Sequence, residues 1–180
     1  MKTTPTAISD VLVIEPKIFS DERGFFFESY NAENFNKATG LDEVFVQDNQ
    51  SRSSKGVLRG LHYQVQRQQA KLVRVTRGAV FDVAVDIRKN SATFGQWVGV
   101  ELTEENQKQL WIPKGFAHGF IVISNTADVL YKTTDYYSPE HERCIQWNDR
   151  KLAIDWPTGD WPIVSTKDQQ GSSFESVDTL

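Results

Sequence analysis

The chain holds three histidines, His62, His118 and His141, and one cysteine, Cys144. Imidazole is the side chain that exchanges protons near neutral pH, so the histidines set in unusual sequence are the first places to look for acid–base chemistry. His62 lies near the end of Gln47–Gln64, a stretch that mixes strand-forming and polar residues. If Val57–His62 is a strand, Leu58, Gly60 and His62 share one face, and Arg59, Leu61 and Tyr63 the other. Arg59 and His62 then point apart unless a bulge at Gly60 re-aims one of them. His62 is either a hydrogen-bonded structural histidine, the commoner case for a lone histidine in a strand, or a proton acceptor. His118 follows the turn Pro113-Lys114-Gly115-Phe116-Ala117, which delivers an imidazole to the start of a strand, where a cavity mouth could use it. A hairpin turn with His118 bonded for structure reads equally well.

No two histidines are closely spaced, and His62 is followed by Tyr63-Gln64. A metal centre would have to draw on His62, His118 and scattered carboxylates, so no bound metal is expected. The 180 residues carry 20 Lys and Arg against 24 Asp and Glu, a net charge of −4 with no long block of one sign. Nucleic-acid binding is not indicated, and an anionic partner must be met by a local basic cluster. The longest apolar runs, Val11–Ile14 and Phe120–Ile123, are four residues long, against about twenty for a membrane span. The opening MKTTPTAISD lacks the apolar centre of a signal peptide, and one cysteine cannot form an internal disulfide, so a reducing cytoplasm is expected.

The elements that must position these groups are strands. Leu, Ile, Val and Phe make up 48 of the 180 residues, enough for one packed core, so a single domain over 1–180 is expected. They recur in short runs separated by Gly, Asn, Asp, Ser and Pro, the spacing of an antiparallel sandwich or barrel. The expected strands are Val11–Ile14, Gly24–Tyr30, Val44–Asn49, Val57–His62, Lys71–Thr76, Ala79–Asp86, Gln96–Leu102, Gln109–Ile112, His118–Ser124 and Ala127–Thr134, with Arg77-Gly78 joining two of them tightly. In Ala79–Asp86, Phe81, Val83 and Val85 should face core while Asp82, Ala84 and Asp86 face a side that can be wet. Asn31–Gly40 reads as one short peripheral helix, with Asn31 as its start and Gly40 as its stop. Trp147, Trp156 and Trp161 should pin irregular chain against a sheet, and Gly171–Leu180 reads as a loose tail. So many strands without a helical layer imply an all-β, double-sheet jelly-roll, whose concave interior is the place for a site.

Pro113–His118 resembles the second sequence motif of the cupin superfamily, so a cupin-like fold without the cupin metal is implied. A wider resemblance rests on motifs in order: Gln47-Asp48-Asn49, Val57–Gln64, Phe81–Arg88, Trp111–Phe120, Leu130-Tyr131-Lys132, Tyr136-Tyr137 and Ser165–Asp168. Over about residues 8–174 the chain resembles the dTDP-4-dehydrorhamnose 3,5-epimerase family. That resemblance implies a cofactor-independent isomerase that inverts dTDP-4-dehydro-6-deoxy-D-glucose at C3 and C5, on the route to dTDP-L-rhamnose for O-antigen or another cell-surface polysaccharide. It also implies a homodimer in which the N-terminal segment completes the partner's site.

Both carbons flank a ketone, so the reaction needs a base, a partner for the enolate oxygen and an acid on the opposite face. The resemblance assigns His62 as base with Asp168 fixing its tautomer, Tyr131 as proton donor and Lys71 at the enolate oxygen. Tyr137 is a ligand contact and the rival donor, and on pattern alone Tyr131 reads as a core aromatic ahead of a donor. Arg59 and Arg23 match pyrophosphate-binding positions, and Phe26 a support for thymine. Glu28, Gln47, Asp48, Asn49, His118, Glu142 and Lys167 match other ligand contacts, while His141 has no matched role. A mono-epimerase of a related dTDP-deoxysugar pathway, a metal-dependent cupin enzyme and a non-catalytic sugar-binding jelly-roll are the alternatives.

Overall fold

The computed structural model describes residues 1–159 and 161–177. In chain order its strands are β1 (Lys2–Pro5), β2 (Leu12–Glu15), β3 (Ile18–Asp21), β4 (Gly24–Phe27), β5 (Gln47–Ser54), β6 (Val57–Gln64) and β7 (Lys71–Arg77). They continue with β8 (Ala79–Asp86), β9 (Trp97–Thr103), β10 (Gln109–Ile112), β11 (Phe116–Val122), β12 (Thr126–Thr133), β13 (Glu142–Cys144) and β14 (Ile163–Val164). One sheet runs β1-β2-β10-β7-β12-β5 and the other β13-β6-β11-β8-β9, with β14 beside β6 and β3–β4 forming a separate hairpin. Two facing, mainly antiparallel sheets with few helices make the expected all-β, double-sheet jelly-roll architecture.

The sheets enclose Val73, Val75, Leu110, Ile112 and Val129 from one side and Val80, Ala84, Val98, Phe116 and Phe120 from the other. The outer face of the second sheet carries Leu58, Leu61, Val83, Val85 and Ile121, and irregular chain bearing Ile145, Leu152, Trp156 and Phe174 covers it. The alternation read in β8 holds, but its Asp face is not wet: Asp82 and Asp86 are both fully buried. Arg88, Ser91 and Thr93 satisfy Asp86, while Asp82 turns toward the inter-sheet space and His118. β7 passes to β8 through Gly78 at φ 72°, where a Cβ would come within 2.0 Å of the Thr126 carbonyl. Only glycine fits there.

The helix α1 (Ala32–Thr39) is capped by the Asn31 side chain on Asn34 N and ends at Gly40, φ 73°. It buries Phe35 against Trp111 and Phe45 beside the first sheet. Two of the expected strands differ from the observed ones by three residues or more at an end, the others by two or fewer, and β1, β3, β13 and β14 have no counterpart among those expected. β5 spans Gln47–Ser54 rather than Val44–Asn49, because an edge strand pairing only with β12 needs no apolar run. β4 stops at Phe27, where the partner strand β3 runs out.

The tail expectation is corrected over 171–177. Ser172 bridges Ile145, Phe174 is buried against Phe94, and its N–H donates to the Asp149 carboxylate. A tail of small polar residues concealed one anchoring ring; residues 178–180 of that expectation lie outside the described residues. Phe174→Ala should cost about 3–5 kcal/mol in urea unfolding, the usual range for an emptied aromatic site. A loose tail would give no change.

Candidate active site

The site begins with a bulge. His62 pairs with His118 and Arg59 with Phe120, so Gly60 and Leu61 together oppose the single residue Gly119. A Cβ on Gly60 would lie 2.6 Å from Gly119 Cα, so the strands approach this closely only with glycine. The extra residue inverts the facing of the strand beyond it. Leu58, Leu61 and Tyr63 join the outer cluster, while Arg59 and His62 both line one cavity of about 360 Å³. The condition set by the sequence for those two side chains to meet is fulfilled.

β14 lies parallel to the start of β6, Ile163 beside Val57 and Val164 beside Leu58. The chain then turns into the short helix α2 (Thr166–Gln169), with Ser165 Oγ accepting from Asp168 N. That turn places Asp168 Oδ1 2.7 Å from His62 Nε2 and Oδ2 3.2 Å from Gly60 N. Burial works to raise the Asp168 carboxyl, but the His62 and Gly60 hydrogen bonds outweigh it and hold it below its usual range. A carboxylate there assigns the imidazole proton to Nε2 and leaves Nδ1 with the available lone pair.

A second histidine–aspartate pair sits beside the first. His118 Nε2 lies 2.9 Å from Asp82 Oδ1, and Lys71 Nζ lies 3.4 Å from His118 Nδ1. Burial pushes Lys71 down to about 8 against the opposing charges of Asp82 and Glu142, and it also lowers His118. Neutral His118 thus donates to Asp82 and accepts from Lys71. With both nitrogens engaged, His118 has none left for a metal, so a cupin-type centre built on His62 and His118 does not fit these residues. Sequence reasoning missed Asp82; its signal was the alternation of β8, which set it on the face shared with Ala84.

Tyr131 comes from β12 in the first sheet, packs on the inter-sheet core and lines the same cavity. Its ring centroid is 6.4 Å from that of His118 and 5.9 Å from Lys71 Nζ, and burial raises its phenol. Tyr137 is half exposed and its hydroxyl donates to Glu142 Oε2 at 2.6 Å. Lys167 binds the same carboxylate oxygen. Burial would raise Glu142, yet the Lys167 and Tyr137 hydrogen bonds hold it down. Arg59 Nε donates to Ser53 Oγ at 3.1 Å, and Gln47 links Asn49 to the Tyr137 N–H.

Gln47, Tyr137 and Glu142 do not line the cavity but are tied to its lining through Asn49 and Lys167, while four other expected contacts are not brought to it within the chain. Asp48 pairs with Lys132 instead, at 2.9 Å. Arg23, at the exposed tip of the β3–β4 hairpin, pairs with Asp21; Phe26 is 73% exposed; and Glu28 accepts from Asn31 and Asn34. His141 Nδ1 lies 2.9 Å from Ser138 Oγ, away from the site.

A family profile described as dTDP-4-dehydrorhamnose 3,5-epimerase matches residues 5–176. A dTDP-4-dehydrorhamnose 3,5-epimerase of Pseudomonas aeruginosa is 61% identical over 99% of this chain and 98% of that protein. The crystal structure of a dTDP-6-deoxy-D-glucose-3,5-epimerase of Legionella pneumophila with dTDP-4-keto-L-rhamnose superposes with a TM-score of 0.96 at 56% identity, covering 98% of this chain and 94% of that one. A 3'-monoepimerase of Streptomyces bikiniensis, in complex with dTDP-quinovose, is similar at a TM-score of 0.89 and 33% identity over 97% of this chain and 88% of that one. With its profile match, its full-length relatives and its cavity of paired histidines and aspartates, the chain belongs to the dTDP-4-dehydrorhamnose 3,5-epimerase family.

Proposed function

We propose that the protein converts dTDP-4-dehydro-6-deoxy-D-glucose to dTDP-4-dehydro-L-rhamnose by inverting C3 and C5. The observation that carries this reading is the placement of His62 on one sheet and Tyr131 on the facing sheet, around one cavity with the Lys71 amine beside them. His62 Nδ1 removes the hydrogen next to the C4 ketone, and Asp168 stabilises the imidazolium that forms. The charge left on the C4 oxygen is met by Lys71, an ammonium in a dry pocket where such a contact is strong. Tyr131, with its phenol raised by burial, keeps its proton until it delivers it to the opposite face, and the centre inverts. Arg59 and Lys167 line the cavity as cations for the pyrophosphate.

The displaced contacts are explained by a homodimer in which Arg23 of the partner subunit, with its hairpin, reaches this cavity. Phe19, Phe25 and Phe26 are 54%, 63% and 73% exposed on β3–β4, a degree of apolar exposure that calls for a covering surface. We read the setting as cytoplasmic and the product as a precursor of a cell-surface polysaccharide, both in keeping with a nucleotide-sugar substrate.

In deuterated water without added metal or nicotinamide, the substrate should take up deuterium at C3 and C5. Uptake at one carbon identifies a mono-epimerase, and none rejects the enzyme reading. His62→Ala and Asp168→Asn should each lower kcat by about 10²–10⁴-fold, the span of a lost general base, while Tyr131→Phe should retain exchange and lose product. An unchanged Tyr131→Phe passes the donor role to Tyr137. Lys71 loses its charge as pH rises through about 8, so turnover should fall there rather than near the ordinary lysine value of 10.5. In Lys71→Met that alkaline limb should vanish along with most of the rate. Mixing His62→Ala with Arg23→Ala under subunit exchange should restore activity that neither variant has alone; no restoration contradicts the shared site.

A further inference from the structure

Beside the His62–Asp168 pair lies a thiol that this proton-transfer scheme does not use. β13 runs antiparallel to β6 with Cys144 directly opposite His62, and opposed residues on neighbouring strands hold their Cβ atoms about 4.5–5.5 Å apart. Cys144 Sγ is 4.0 Å from Asp168 Oδ1, the same oxygen that His62 Nε2 approaches to 2.7 Å. The three atoms all lie within 4.8 Å of one another. Imidazole nitrogen, carboxylate oxygen and thiolate sulfur together are a donor set suited to zinc and its relatives. Zinc bonds of about 2.0–2.3 Å space tetrahedral donors about 3.5 Å apart, so side-chain rotations of about 1 Å complete the set.

We propose that His62, Cys144 and Asp168 form an inhibitory site for a thiophilic divalent cation of the zinc class. Binding stands on the geometry; the inhibition rests on the reading of His62 as base. In the metal-free protein the imidazole proton sits on Nε2, facing Asp168. A cation on Nε2 moves that proton to Nδ1, the nitrogen that must accept the substrate's hydrogen. The sulfur–metal bond forms as the Cys144 S–H proton leaves for solvent, so one proton is released per cation and no electrons are transferred. The base is left with no lone pair for catalysis, and Asp168 with no imidazolium to stabilise.

Metal-free protein titrated with Co²⁺, without substrate, should gain a sulfur-to-cobalt charge-transfer band that saturates at one equivalent and should release one proton. Cys144→Ser, and Cys144→Ala as a second variant checked for folding by thermal unfolding, should lose the band. Zn²⁺ should silence hydrogen exchange in the wild type, reversibly with chelator, while both variants keep their metal-free exchange rate at Zn²⁺ concentrations at least tenfold higher. Absence of the band, or equal Zn²⁺ sensitivity in wild type and both variants, would overturn the proposal. Because the band is read without substrate, a protein that never exchanges hydrogen still decides the metal site. Failure of the base assignment shows separately, in metal-free exchange.

Discussion

The register between β6 and β11 slips by one residue at Gly60-Leu61, and the polar lining of the cavity depends on that slip. Before the bulge, Leu58 faces the outer cluster and Arg59 the cavity; after it, Leu61 and Tyr63 face outward and His62 inward. Unbulged pairing would send His62 into the outer apolar cluster and Leu61 into the cavity. That arrangement forfeits about 1.5–3 kcal/mol of Leu61 burial and adds about 1–3 kcal/mol for an unpartnered buried imidazole. The core and the chemistry therefore select the same register. Gly60 and Gly119 make it sterically possible, and the Gly60 N–H freed by the bulge is the one Asp168 captures.

Two histidine–aspartate pairs whose histidines share one sheet stand in different surroundings. The His62 and Asp168 side chains are 29% and 4% exposed; those of His118 and Asp82 are 6% and 0% exposed. The first pair keeps an edge open to the cavity, which the proposed proton transfer requires. The second is buried in the cavity wall beside Lys71, whose amine burial brings down to about 8 against the charges of Asp82 and Glu142. Such divergence of like groups through environment is how one cavity can hold a base and an electrophilic partner near neutral pH. It also bears on charge: in a protein with a net charge of −4, Arg59, Lys71 and Lys167 gather on one cavity, the local basic cluster that the proposed anionic nucleotide-sugar requires.

How much of this is visible in the sequence depends on whether local pattern carries the information. Alternation in β8, the Asn31 and Gly40 caps and the Gly78 turn are local and legible. The bulge was legible as a condition, since a glycine between an arginine and a histidine in a strand has few other purposes. Asp82 was not read as functional because an acid in an alternating strand looks like a solvated face until a second sheet covers it. Asp168 reaches His62 across about a hundred residues only because β14 docks on β6, a contact of two residues with no sequence signature. That assignment, like those of Tyr131 and Lys71, came from family resemblance. Arg23, Phe26 and Glu28 are matched in sequence but lie away from the cavity of their own chain, and that displacement is what the proposed shared site of a dimer accounts for.

The central claim is that Asp168 fixes the His62 tautomer so that Nδ1 carries the free lone pair. Nitrogen-15 NMR of histidine-labelled protein at a pH where His62 is neutral reads this directly, with Asp168→Asn to assign the signal. The account predicts a bonded proton on Nε2 and an unprotonated Nδ1; a proton found on Nδ1 would contradict it.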